Sequence, residues 1–145
     1  MRAGIDVRTL PDRELLQLTA YALGIEFHAC GIDQDDYMTV VDVKFQSGDL
    51  QKVVKQYKPW NPLQSLAQAM QVAIRLGISV EQYPFYAEQD KKSHVVTRQR
   101  KQKDLMRLTN PTEFCVGYHG NPGRANCLAI VYSAAASQLE KEGKL

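Results

Sequence analysis

A chain of 145 residues with 44% hydrophobic and 23% charged residues has the composition of a globular protein with room for a real core. Eighteen lysines and arginines against sixteen carboxylates leave a net charge of only +2, which excludes broad nucleic-acid affinity spread over the whole surface. No apolar run approaches the roughly 18 residues of a membrane span, and Met1-Arg2-Ala3-Gly4-Ile5-Asp6 lacks the apolar centre of an export signal. Three cysteines, Cys30, Cys115 and Cys127, form no CxxC pair and read as reduced thiols in a cytosol.

Residues 1–9 are expected to be a loose arm on an otherwise single domain, residues 1–145. Pro11 marks the start of a helix whose first turn carries Asp12 and Glu14, in favourable positions for the helix dipole, and Gly24 ends it. Leu15, Leu16, Leu18, Thr19, Ala22 and Leu23 make its broad apolar face. Ile25 to Cys30 alternates and predicts a strand with Ile25, Phe27 and Ala29 inward. An acidic turn, Gly31 to Asp36, leads to the clearest strand, Tyr37 to Gln46, with Tyr37, Thr39, Val41, Val43 and Phe45 on one face. The two strands are expected to pair as a hairpin. Leu50 to Pro59 is ambiguous, because Lys52, Lys55 and Lys58 wet one side without fixing a period.

Trp60-Asn61-Pro62-Leu63 then carries a strong helix-start signal. Asn61 suits the cap, Pro62 the first helical position, and Trp60 a staple. The predicted helix runs over residues 62–76 to Gly77, with Leu63, Ala67, Met70 and Ile74 as its buried stripe, widened by Leu66 and Ala73. Ile78 to Tyr86 predicts a strand bent at Pro84. His94 to Lys101 alternates weakly, with Val95, Thr97 and Gln99 opposed to Val96, Arg98 and Arg100. Asp104 to Leu108 predicts a short helical turn. Phe114, Val116 and Tyr118 are the inward set of a last strand. Asn121-Pro122 opens a final helix to about Glu140 that is apolar most of the way round. A helix of that kind is sandwiched inside the fold or completes its burial against a second copy. The sum is α-β-β-α-β-β-β-α: an α+β layered sandwich with a mostly antiparallel sheet and about three helices. Whether helices cover one face or both stays open.

Three stretches carry a resemblance. Pro11-Asp12-Arg13-Glu14-Leu15-Leu16 with Gly24-Ile25, the segment Trp60 to Leu63, and Asn121-Pro122 with Ala129-Ile130-Val131 and Ala134-Ala135 resemble small tailed-phage and prophage proteins, relatives of the NinX-like accessory proteins. Gln64-Ser65-Leu66-Ala67 departs from the acidic residues usual after Trp-Asn-Pro, and residues 87–112 form a longer, more basic insert. The resemblance implies a phage or prophage origin and expression in bacterial cytoplasm. It carries no activity with it.

Lys91, Lys92, Arg98, Arg100, Lys101, Lys103 and Arg107 concentrate positive charge in one segment, suited to phosphates or to an acidic protein surface. With Tyr83, Phe85 and Tyr86 nearby, the leading expectation is a partner-binding surface formed by Arg98, Arg100, Lys101, Lys103, Arg107 and these aromatics. The partner expected from the resemblance is a host bacterial protein, and the role a counter-defence inhibitor such as an anti-CRISPR. A second reading is a sponge that sequesters an anionic nucleotide at His119, Asn121, Gly123 and Arg124, where glycines, a cation and a helix N-terminus converge. His28, Cys30, Cys115 and His119 could together form a zinc set, and Cys115 with His94 or His119 a nucleophile pair, but no spacing demands either. The sequence therefore predicts no catalytic residue, metal or cofactor, no membrane contact, and a homo-oligomer formed through the C-terminal helix.

Overall fold

Capping and alternation resolve into helices and strands over residues 4–34, 36–82, 92–99, 114–119 and 122–144, the residues described by the computed structural model. Helix α1, Asp12–Leu23, follows Pro11 as predicted, with Asp12 and Glu14 in its first turn. It buries Leu15, Leu16, Thr19 and Ala20. Residues 4–9 depart from the expected loose arm. Val7 sits in the core at 1% exposure within a single 3-10 turn, Val7–Thr9, which Asp6 caps by accepting from the Arg8 backbone at 3.0 Å. Ile5 N donates to Lys144 O at 3.1 Å, tying this segment to the far end of the described chain. One well-placed apolar side chain and one cap are enough to order it.

The first sheet is antiparallel in the order β1 (His28–Cys30), β2 (Asp36–Ser47), β3 (Leu50–Pro59). Its long β2–β3 ladder runs from Met38 opposite Pro59 to Ser47 opposite Leu50. The ladder settles the ambiguous segment as a strand. Lysines three apart blur the two-residue period of β3, and only pairing with β2 makes it legible.

Helix α2, Leu66–Leu76, begins later than predicted. Ser65 is its cap, the hydroxyl accepting from Gln68 N at 3.3 Å. Asn61 instead organises a separate turn, its side chain accepting from Leu63 N at 3.1 Å. Gln68 reaches back to clamp that turn, accepting from Asn61 N at 2.6 Å and donating to Pro59 O at 3.1 Å. The later start rotates the buried face onto Ala69, Val72 and Ala73. Leu66, Met70 and Ile74, expected inside, are exposed. Gly77 ends the helix at φ 69°, a conformation glycine adopts without a Cβ penalty.

The second sheet is antiparallel in the order β4 (Ile78–Gln82), β5 (Lys92–Gln99), β6 (Phe114–His119). Val95 and Thr97 of β5 point inward, as their alternation predicts. Thr97 Oγ1 donates to Ala129 O at 2.9 Å, pinning this sheet to helix α3, Pro122–Lys141. The predicted turn at residues 104–108 lies outside the described residues.

Helix α3 is the centre of the fold. It packs against α1, α2 and the second sheet. Ile130, Val131, Ala134, Ala135 and Ala136 are fully buried. Of the two arrangements expected for it, the structure shows the first: α1, α2 and the second sheet cover its apolar surface from within the chain. Small side chains let three neighbours approach it closely. The architecture is thus the expected layered α+β type; among the described residues it has two antiparallel sheets and one strand more than the sequence predicts, in the order α-β-β-β-α-β-β-β-α. Among the described residues, no helix is long and apolar enough to cross a membrane.

Candidate protein-binding surface

The β2–β3 hairpin is the part of the chain that the core does not account for. Its foot is well anchored. Tyr37 packs on Phe27 with ring centroids 5.6 Å apart, and Phe27 meets Trp60 edge-on at 6.1 Å. Thr39 Oγ1 donates to Glu26 O at 2.8 Å, and Trp60 N donates to Tyr37 O at 2.9 Å. Beyond Val43 the ribbon leaves the body: every residue from Lys44 to Pro59 is exposed. Ser47 pairs with Leu50, which leaves Gly48-Asp49 as a two-residue loop. Gly48 has φ 63°, suited to the first central position of a type II′ hairpin turn.

The register sorts the ribbon into two faces. One carries Val41, Val43 and Phe45 beside Gln56, Val54 and Lys52, with Leu50 at the tip. It continues the inward set Tyr37 and Thr39, so the apolar stripe of the core runs on into solvent. The other carries Val40, Asp42 and Lys44 beside Tyr57, Lys55 and Val53. Phe45 is 55% exposed, Leu50 77% and Val53 53%. Lys44, Lys52 and Lys58 make no ion pair or hydrogen bond among the described residues. The outer edge of β3 pairs with no strand among the described residues.

A polar cluster stands on the second face near the foot. Glu26 accepts from His28 Nε2 at 3.2 Å and lies 3.7 Å from Lys55 Nζ, while His28 meets Tyr57 edge-on at 5.3 Å. The His28 hydrogen bond, and then the Lys55 charge, hold the Glu26 carboxyl below its ordinary value. Beside the cluster an open cleft of about 580 Å³ is lined by Tyr37, Met38, Tyr57, Pro59, Cys30, Asp36 and Asn61. Cys30 is an exposed thiol and Cys127 a buried one. Burial pushes the Cys127 thiol up.

Most of the surface expected from the sequence lies outside the described residues. Tyr83, Phe85, Tyr86, Arg100, Lys101, Lys103, Arg107 and Asn121 lie outside the described residues. Arg98 is half-buried on the outward side of β5, and its carbonyl accepts from Ser79 Oγ at 3.2 Å. Tyr57 belongs to the exposed ribbon, whereas Trp60 is buried. His119 ends β6. Gly123 and Arg124 line a shallow hollow of about 260 Å³ with Leu63 and Gln64, and Arg124 Nη1 donates to Gln64 Oε1. That guanidinium is thus engaged by a neutral amide at the start of α3.

His28 and Cys30 are on β1 and Cys115 and His119 on β6, strands of different sheets. Among the described residues, no three His, Cys, Asp or Glu are placed to hold a metal ion. The ladder sets Cys115 across from Val96, and His94 across from Gly117. The surface that the sequence alone does not reveal is β3. Its signal is Val53, Val54 and Tyr57 interleaved with lysines, beside a strand of matching length.

Compared with protein-family models, with curated proteins and with solved structures, the chain matches none.

Proposed function

We propose that this chain works by binding a protein partner, not by catalysis, and that the β2–β3 ribbon is the element that makes contact. One observation carries the reading: a long ribbon anchored by an aromatic foot presents Phe45, Leu50 and Val53 to solvent beside Lys44 and Lys52, whose side chains have no partner among the described residues. Apolar exposure at this density on a sheet edge is an aggregation hazard unless a partner covers it. The resemblance to phage accessory proteins supplies the setting. The partner is a host bacterial protein met in the cytoplasm, and the role is counter-defence, by occupying an immune protein such as a CRISPR effector.

Native mass spectrometry of the tagged protein recovered from bacterial lysate tests this. The expected result is an added protein mass that is lost from the Phe45→Ser, Leu50→Ser double variant. The sponge alternative expects a nucleotide instead, absorbing in the nucleobase band and lost on Arg124→Ala. A protein retained by the double variant overturns the ribbon as contact element.

A further inference from the structure

We infer that the partner contributes an extended, acidic and apolar segment that adds as a fourth strand along the free edge of β3. This rests on the ribbon being the binding element, and it specifies what the ribbon binds and how. Up to Pro59, whose carbonyl is taken by Gln68, β3 offers residues 50–58 of backbone, roughly 30 Å of strand, whose outward N–H and C=O groups no other strand takes up among the described residues. Main-chain pairing of this kind supplies affinity, and the side chains alternating across the edge supply selectivity.

Charge selects the added strand. β3 carries Lys52, Lys55 and Lys58 and no carboxylate. Lys55 already faces Glu26, so Lys52 and Lys58 are the cations available to an incoming segment. Both lie on the face that also carries Leu50 and Val54. An added strand with carboxylates opposite Lys52 and Lys58, and apolar residues opposite Leu50, Val53, Val54 and Tyr57, satisfies every position.

A second copy, a merely guarded edge and a nucleic acid all fit β3 less well. A second copy pairing β3 with β3 brings three lysines from each chain onto neighbouring strands with no carboxylate to offset them. Lysines that merely guard an edge account for the charge but not for Leu50 and Val53, which a guarded edge would not expose. A nucleic acid would use the lysines and Tyr57 but would leave Phe45, Leu50, Val53 and Val54 facing phosphate and water.

The test uses the whole chain and a blocked synthetic peptide bearing glutamates and valines in that pattern. Two control peptides replace the glutamates by lysines or N-methylate the amides along one edge. Binding of the acidic peptide is expected to slow amide exchange along β3, with both controls binding at least about tenfold more weakly. Val53→Pro and Val54→Pro divide the edge. One of two consecutive residues turns its N–H to β2 and the other outward, so one variant keeps the ribbon and loses the peptide. If both variants disrupt the ribbon, the N-methylated peptide still decides. Equal binding by the lysine peptide overturns the inference. So does protection by a DNA duplex in preference to the peptide, or a dimer in sedimentation that protects β3 without peptide. A lysate partner lost from the Phe45→Ser, Leu50→Ser variant but kept by the outward proline leaves the ribbon reading standing and removes strand addition.

Discussion

Glu26 ties the ribbon to the body from both its ends. Its carbonyl takes the Thr39 hydroxyl and its carboxylate takes His28 and Lys55. The carboxyl titrates below its ordinary value because the His28 hydrogen bond favours the charged form. Its contribution to stability is therefore present above the ordinary carboxylate range and is lost as pH falls through the lowered folded value. Carbon-detected NMR titration should find Glu26 below the other exposed glutamates, and His28→Ala should move it back toward them. The two described thiols make a sharper contrast. Cys30 is exposed on β1, whereas Cys127 is 2% exposed on α3 with its thiol pushed up by burial. Iodoacetamide at neutral pH should label Cys30 promptly and Cys127 only after denaturation, as read by peptide mass spectrometry. Labelling of native Cys127 at the rate of Cys30 would contradict the central placement of α3.

At the scale of elements, α2 shows how a start signal sets the phase of everything after it. Asn61-Pro62 and Ser65 both qualify as helix starts, and apolar residues at 66, 67, 69, 70, 72, 73, 74 and 76 spread over more than half of the helix, leaving Gln68, Gln71 and Arg75 on its polar side. With so wide an apolar arc, periodicity cannot choose which part of it is buried. The Gln68 clamp makes the choice by holding Asn61 in its own turn. Ile74 is 77% exposed and Val72 1%. Ile74→Lys should change stability by no more than about 0.5 kcal/mol, while Val72→Asp should prevent folding, both checked by urea denaturation. Helix α3 was more legible: its span and its small-residue face could be read directly. What covers it could not, since an all-round apolar helix looks the same whether its cover comes from its own chain or from another. Because Ala135 is fully buried in the core on the helix that α1, α2 and the second sheet cover, Ala135→Leu should cost about 1–3 kcal/mol through overpacking.

The whole molecule divides its stability unevenly. The three helices share one core around α3, a smaller cluster of Val95, Ala125 and Ala129 ties the second sheet to the same helix, and the first sheet joins the main core through Phe27, Tyr37 and Trp60. Beyond Val43, β2 and β3 have only each other among the described residues, and an isolated two-stranded ribbon is marginal in water. This is why the fold was readable in the sequence and the candidate surface was not. Core residues announce themselves by period, as Val95 and Thr97 do. β3 has no core to face, and its apolar residues at 50, 53, 54 and 57 with lysines at 52, 55 and 58 follow a helical period, so only pairing with β2 makes it a strand. A residue pattern shaped by an absent partner has no complement within its own chain. The consequence is measurable without knowing that partner. In native-state hydrogen exchange, amides of the β2–β3 ladder beyond Val43 should exchange through local opening, well before those of Ile130 to Leu139, which should require global unfolding. A bound partner should invert that order within the ribbon by protecting β3 most, since its backbone gains the new pairing. If the ribbon in the free protein exchanges as slowly as α3, it is not a projecting, weakly held element, and the contact surface must be sought elsewhere on the chain.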